Sequence, residues 1–203
     1  MKIGILGAGN IGGTLGVSWA RAGHTVVFGA RNSSSEKVQA RLAEANGKAA
    51  AASVAEAIEQ ADVVLIAIPA MAMTDFLAEN GRLLNNKLII DATNAIGSEQ
   101  MNSVATIQAA APEATVVRAF NNLGWENFAE PTINGVQVDL IYCAPEAARE
   151  TAERLISDIG LNPVYLGGDD QLPVVDNLVR LWFALAFGQK NGRRLAFKVI
   201  KEA

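Results

Sequence analysis

The chain has 203 residues, half of them hydrophobic, and a formal net charge of −4, so one folded unit with a substantial core is expected. The negative charge argues against a general polyanion binder, because nucleic-acid binding depends on neutralising many phosphates with Lys and Arg. A single cysteine and a single histidine exclude a disulfide framework and leave too few soft ligands for a zinc or iron–sulfur site.

The N-terminal run Met1 to Leu6 passes directly into a glycine turn and is too short for the apolar region of a signal peptide. The most apolar later stretch, 178–187, contains Arg180 and is half as long as the ~20 residues that a spanning helix needs. The expected setting is a reducing cytoplasm, with a small-molecule redox partner and with neither a membrane nor a nucleic acid.

Short runs rich in Val, Ile and Leu alternate with longer segments of helical pattern, which is typical of βαβ units that build a parallel sheet. The pattern predicts strands near 2–6, 24–29, 48–51, 62–68, 87–91, 115–119, 136–143 and 163–166. It predicts helices near 11–22, 34–46, 54–60, 72–80, 99–111, 146–158 and 172–187. The predicted fold class is therefore α/β: a doubly wound, mostly parallel Rossmann sheet with strand order 3-2-1-4-5-6.

The segment from Trp125 to Pro131 is predicted to be a loop rather than another crossover helix. It divides the predicted single domain, 1–203, into a dinucleotide-binding part, 1–124, and a C-terminal αβα extension, 125–203. The extension is expected to add its two strands to the sheet beyond strand six and to complete the substrate pocket.

The run 181–187 is apolar around nearly the whole helix, whereas a helix that packs on one core needs only one apolar face. We therefore expect a homodimer that uses this helix.

A glycine motif, Gly7 to Gly12 with the sequence GAGNIG, follows the first predicted strand. A lone GxGxxG is weak evidence, but this one follows a strand, opens a helix and begins a βαβ unit. Gly7 permits a tight turn, Gly9 lets the backbone approach a pyrophosphate, and Gly12 lets the helix pack closely on the sheet. The amides around Asn10 and Ile11 then present positive partial charge to the phosphates. The alternative is a glycine-rich turn without a ligand.

The end of the second predicted strand carries no Asp or Glu, although NAD enzymes usually place an acid there for the ribose hydroxyl. Arg31 stands beside Asn32 and Ser33, and a cation with neutral donors is what a dianionic 2′-phosphate requires. This pattern favours NADP over NAD as the cofactor. The alternative is that Arg31 is a solvated loop charge and that Ser33 only caps the next helix.

Further candidate ligands follow the later strands, because ligands of open α/β sheets bind beyond the carboxyl ends. Ile68 and Pro69 come after the fourth strand, and Pro69 is expected to begin a helix. Asn94 and Asn121 follow the fifth and sixth strands and are predicted to bond the nicotinamide or its ribose. Asparagine is also a common turn residue, which is the alternative for each.

The chain resembles the NADPH-dependent coenzyme F420 reductase family, also called F420H2:NADP oxidoreductases, in the glycine motif and in the runs 29–32, 67–69, 91–94 and 119–121. The resemblance is clearest over residues 1–124. It implies hydride transfer between NADPH and a deazaflavin, coenzyme F420 or a similar molecule, stacked against it above the sheet. Such a reaction needs positioning and a dry pocket more than a protein acid or base. The family tends to have proline and threonine where this chain has Ala95 and Asn122.

Two other functions remain open from the sequence. One is a reductase of a small imine, a carbonyl or a ferric chelate, and the first two substrates need a proton donor. The other is a non-enzymatic NADP sensor, which would need no second pocket. His24 precedes a strand and Cys143 lies inside one, so both are expected to be structural, and no catalytic residue is predicted.

Overall fold

A computed structural model describes residues 1–202 of the chain. Six strands form one parallel sheet in the order β3-β2-β1-β4-β5-β6, and every neighbouring pair is parallel. The strands are β1 (Lys2–Leu6), β2 (Thr25–Gly29), β3 (Ala49–Ala52), β4 (Val63–Ile66), β5 (Leu88–Asp91) and β6 (Thr115–Arg118). The predicted fold class and strand order are confirmed.

Five helices connect these strands and cover the sheet: α1 (Asn10–Arg21), α2 (Glu36–Glu44), α3 (Val54–Glu59), α4 (Met73–Asn80) and α5 (Val104–Ala110). Every residue of β4 is buried, as expected for a central strand with helices on both faces. The first helix packs especially closely, because a Cβ added at Gly16 would lie 2.6 Å from the ring of Phe28. Within residues 1–202, none of the helices is long and apolar enough to cross a membrane.

The C-terminal part forms a short helix, a small hairpin, a second parallel sheet and two longer helices. These elements are α6 (Glu126–Ala129), β7 (Thr132–Ile133), β8 (Val136–Gln137), β9 (Asp139–Tyr142), α7 (Glu146–Ser157), β10 (Asn162–Tyr165) and α8 (Leu172–Phe183). Strands β7 and β8 pair as the hairpin, and β9 pairs with β10. A π-helical turn, Ala184–Gly188, continues α8.

The expectation that the last two strands extend the main sheet is wrong. Strands β9 and β10 form a separate two-stranded sheet, which meets β6 at one antiparallel bridge between Arg118 and Cys143. The Arg118 amide donates to the Cys143 carbonyl over 2.9 Å, and the reverse bond is 3.2 Å. Because β6 ends at Arg118 and β9 ends one residue before Cys143, the two strands meet only at their ends.

Smaller differences from the predicted elements also occur in this half. The segment predicted as a loop at 125–131 contains α6, and the strand predicted at 136–143 is divided at Val138 into β8 and β9. The helix predicted from residue 99 begins only at Val104, because amides at 101–103 bond to the carboxylates of Asp91 and Asp176 instead of continuing a helix.

One hydrophobic cluster includes residues of both halves of the chain. Phe120 contacts the rings of Trp19 and Phe128 edge to face, with centroids 5.5 and 5.6 Å apart. The indole nitrogen of Trp19 donates to the Leu155 carbonyl over 2.9 Å, and that carbonyl lies in the last turn of α7, where helical partners are lacking. His24 bonds Asp158 over 2.8 Å, so the histidine also ties the first βα unit to the C-terminal half.

Candidate cofactor site

The glycine loop joins the end of β1 to the first turn of α1 at the carboxyl edge of the central sheet. Gly7 has a φ of +110°, and a Cβ added there would lie 2.5 Å from the carbonyl oxygen of Ala67, just after β4. A Cβ added at Gly12 would overlap the carbonyl oxygen of Gly7. Both positions therefore require glycine, because the loop, the helix and the chain after β4 are in direct backbone contact.

Gly9 differs from these two glycines, because the fold itself does not require it. Its backbone is extended, with a φ of −73°, and apart from its own chain neighbours no residue of 1–202 would have an atom within 4 Å of a Cβ added there. The amides of Asn10 and Ile11 in the next turn have no intrahelical partner. In the described chain, no side chain caps this end of α1, and its first turn has no acid. The positive end of the helix dipole therefore faces open space, as an incoming pyrophosphate requires.

Arg31, Asn32 and Ser33 form the turn after β2, the strand beside β1. Arg31 is exposed, and across the described residues it forms no ion pair. The Asn32 side chain accepts from the Ser34 amide over 3.0 Å, which stabilises the turn. Ser33 does not cap α2, because Ser35 occupies the N-cap position. The guanidinium of Arg31 thus keeps its donors available for a ligand.

Ile68 and Pro69 lie beside the glycine loop, since the amide of Ile68 would be 3.3 Å from a Cβ added at Gly7. Pro69 immediately precedes a 3-10 turn, Ala70–Ala72, which leads into α4, so the predicted position of this proline at a helix start is correct. Ile68 is half-buried, whereas Pro69 is exposed. These residues form the side of the edge that follows β4.

Asn94 and Asn121, which follow β5 and β6, are in direct contact: Asn94 Nδ2 donates to the Asn121 carbonyl over 2.8 Å. Asn94 Oδ1 accepts from Arg118 over 2.8 Å. A guanidinium carries only donors, so this bond fixes which end of the Asn94 carboxamide is the oxygen. One N–H of Asn94 is left for a ligand. The Asn121 side chain is buried, and neither of its polar atoms has a partner in the described chain.

A buried cluster of charged side chains beside these asparagines was not predicted from the sequence. It consists of Arg118 at the end of β6, Asp91 at the end of β5 and Asp176 in α8, which are 1%, 0% and 2% exposed. One feature of the sequence indicates such a cluster: Arg118 ends the apolar strand Thr-Val-Val-Arg, and a charge buried in a sheet needs partners. Its second carboxylate lies 58 residues further along the chain, beyond the reach of local patterns.

The other titratable groups near this edge are buried or bonded. Burial raises the pKa of the Cys143 thiol to about 12, so the thiol stays protonated at neutral pH. Burial, with the neighbouring carboxylate of Glu153, also raises the pKa of the Tyr142 phenol, which donates to that carboxylate over 3.1 Å. No group of three or more His, Cys, Asp or Glu side chains that could hold a metal ion occurs in residues 1–202.

Residues 2–95, slightly less than half of the chain, match the family model described as NADP oxidoreductase coenzyme F420-dependent. The predicted resemblance to this family, whose description is that of an NADP oxidoreductase, is confirmed. A glycerol-3-phosphate dehydrogenase (NAD(P)+) of Paracoccus denitrificans is 28% identical over 161 residues, which are 77% of this chain. The chain spans 50% of the length of that curated relative.

Solved structures share the fold over most of the chain. A proposed F420-dependent NADP-reductase of Arthrobacter sp. FB24 aligns over 99% of this chain and 100% of its own, with a TM-score of 0.83 and 21% identity. The protein SMa0349 of Sinorhizobium meliloti aligns over 83% of this chain and 85% of its own, with a TM-score of 0.72 and 25% identity. An imine reductase of Streptomyces aurantiacus aligns over 93% of this chain and 64% of its own, with a TM-score of 0.67 and 16% identity.

Replacing Arg31 with alanine should weaken NADPH binding about ten- to a hundred-fold and change NADH binding only a few-fold. A charge-assisted hydrogen bond contributes on the order of 1.5–3 kcal/mol, and only NADPH carries the 2′-phosphate. Dissociation constants from fluorescence titration test this, with Arg82→Ala as control, because Arg82 is an exposed arginine that precedes β5 at the opposite edge. An equal loss of affinity for both nucleotides would show that Arg31 does not bind the 2′-phosphate.

Proposed function

We propose that this chain, whose residues 2–95 match the F420-dependent NADP oxidoreductase family, transfers hydride between NADPH and a deazaflavin of the coenzyme F420 type. The observation that carries the proposal is the open, positively polarised space above Gly9, one strand away from the unpaired Arg31. The pyrophosphate would bind at 7–12 and the 2′-phosphate at 31–33. The nicotinamide would then lie near Asn94 and Asn121, beyond the ends of β5 and β6.

The polar side chains at this edge are paired or buried, which supports an acceptor that takes up hydride directly. Reduction of an imine or carbonyl needs a proton donor at the reacting atom. Asp91 and Asp176 are paired with Arg118, and Tyr142 and Cys143 are buried. NADPH supplies a hydride to the acceptor ring, and the proton that completes the reduction comes from solvent after the reduced ring has left the pocket. The protein then has to orient two rings and exclude water, which these residues can do without acting as acids.

The second candidate function is reduction of a small imine, which the shared fold with the imine reductase of Streptomyces aurantiacus favours. The chain spans 64% of that protein, so a substrate pocket would have to be completed differently here. The C-terminal extension, 125–203, is the part of the chain that we expect to complete it. A reducing cytoplasm is the setting that we expect for either activity, and it suits the free thiol of Cys143.

A spectroscopic screen of NADPH oxidation separates these functions. The purified protein is given coenzyme F420, a free flavin, a ferric chelate, a quinone and a cyclic imine, each with an enzyme-free control. We expect rapid oxidation with coenzyme F420 and slow or no oxidation with the rest. Turnover of the imine alone would establish the second candidate. NADPH binding without turnover of any acceptor would instead indicate a sensor and contradict both enzymes.

We further propose that the chain forms a homodimer through the outer face of α8 and the turn that follows it. The inner face of this helix is buried in the protein. The outer face carries a second apolar stripe with the four- and three-residue spacing along which two helices pack, made of Val174, Leu178, Leu181 and Leu185. Val174 and Leu181 are 50% and 48% exposed, so the stripe is unpartnered in one chain.

Leu181→Glu should convert the dimer to a monomer, because a carboxylate at the centre of the stripe cannot be desolvated without a partner. Multi-angle light scattering across a range of protein concentrations measures the mass. Ala78→Glu introduces the same charge at an exposed site on α4 and should remain dimeric. A wild-type protein that stays monomeric at the highest concentration would contradict the proposal.

A further inference from the structure

The guanidinium of Arg118 bonds to four residues, which lie on three segments of the chain. One terminal nitrogen donates to the Asp91 carboxylate over 3.3 Å and to the Thr93 carbonyl. The other donates to Asn94 Oδ1 over 2.8 Å and to the Asp176 carboxylate over 3.1 Å. The end of β6 is thus joined to the end of β5, to the loop after β5 and to α8.

Both carboxylates of the cluster are themselves fully engaged. Asp91 accepts from the amide and hydroxyl of Thr93 and from the amide of Ser103, over 2.6 to 2.9 Å. Asp176 accepts from the amides of Met101 and Asn102 and from the Asn102 side chain, over 2.8 to 3.2 Å. The cluster sets two carboxylates against one guanidinium, whose Nε has no partner among the described residues, so the carboxylates depend on the backbone amides as well as on Arg118. A displaced segment would leave a buried charge without these bonds, so the cluster favours one arrangement of the segments.

Side chains of α8 therefore fix the loop between β5 and α5 by hydrogen bonds. Asp176 bonds the amides at 101 and 102, and Arg180, one turn further along the helix, donates to the carbonyls of Ser98 and Glu99. The same loop contains Asn94, whose carboxamide is oriented by Arg118 and contacts Asn121. Movement of α8 would thus be transmitted to the two asparagines at the nicotinamide end.

We propose that Arg118 and Asp176 are positioning residues: Asp176 fixes the Arg118 guanidinium, and Arg118 orients Asn94 so that its free N–H and the neighbouring Asn121 meet the nicotinamide end of the cofactor. This rests on the proposed NADPH site. The two residues do not touch the cofactor, and the adenosine end, at 31–33, lies on another strand and is independent of them. Their loss should therefore affect one end of the dinucleotide only.

The test compares two probes: NADPH, and adenosine 2′,5′-bisphosphate, which has the 2′-phosphate end but no nicotinamide. Asp176→Asn keeps the shape of the side chain and removes its charge. We expect this variant to bind NADPH about tenfold more weakly, the equivalent of one hydrogen bond, and to bind the bisphosphate within about twofold of wild type. Glu150→Gln, an exposed carboxylate on α7, is the matched control and should change neither value.

Arg118→Lys is the second variant, because it keeps the positive charge of the cluster but cannot bond Asn94 and both carboxylates at once. It should show the same selective loss. Equal weakening of both probes, unchanged NADPH binding in a folded variant, or failure of both variants to fold would assign the cluster a purely structural role and overturn the inference. A wild-type protein that binds neither probe would instead contradict the proposed cofactor site itself.

Discussion

The backbone contact between the end of β1 and the first turn of α1 is the constraint on which the carboxyl edge of the sheet depends. A side chain at Gly12 would overlap the Gly7 carbonyl, and one at Gly7 would meet the chain after β4. The absence of these side chains lets the helix begin directly above the sheet, with its free amides facing outward beside Gly9. The parallel strand order then brings Arg31 from one side and Asn94 and Asn121 from the other to this same edge.

The C-terminal extension supports this edge in two ways. Apolar packing, centred on rings such as Phe120 and Trp19, attaches it to the first βα unit, but the hydrophobic effect is not directional. The buried bonds of Asp176 select one register, because a shifted helix would leave its carboxylate and the amides at 101 and 102 without partners, and the exposed bonds of Arg180 add to them. The loop after β5 is therefore fixed by a helix that lies more than seventy residues later in the sequence.

The features that were predictable are those with local causes. Apolar runs, glycine turns and helical periods identify the strands, their order and the glycine motif, because each depends on neighbours in sequence. The separate sheet of β9 and β10 was not predictable, because it depends on where β6 ends. The bonds of Asn94 and the pairing of Arg118 with Asp176 depend on contacts between distant segments, and a buried arginine does not identify its partner from sequence alone.

Gly9 offers the most direct measurement, because its backbone and surroundings accept a methyl group but a bound pyrophosphate would not. Gly9→Ala is compared with Gly168→Ala, because Gly168 has a similar extended backbone, with a φ of −83°, and a Cβ added there would make only an ordinary contact of 3.4 Å with the Asp170 side chain. Each unliganded variant should unfold in urea with a free energy within about 1 kcal/mol of wild type. Gly9→Ala alone should weaken NADPH and NADH together, by more than about tenfold. Unchanged NADPH binding by folded Gly9→Ala would contradict a pyrophosphate site at this loop.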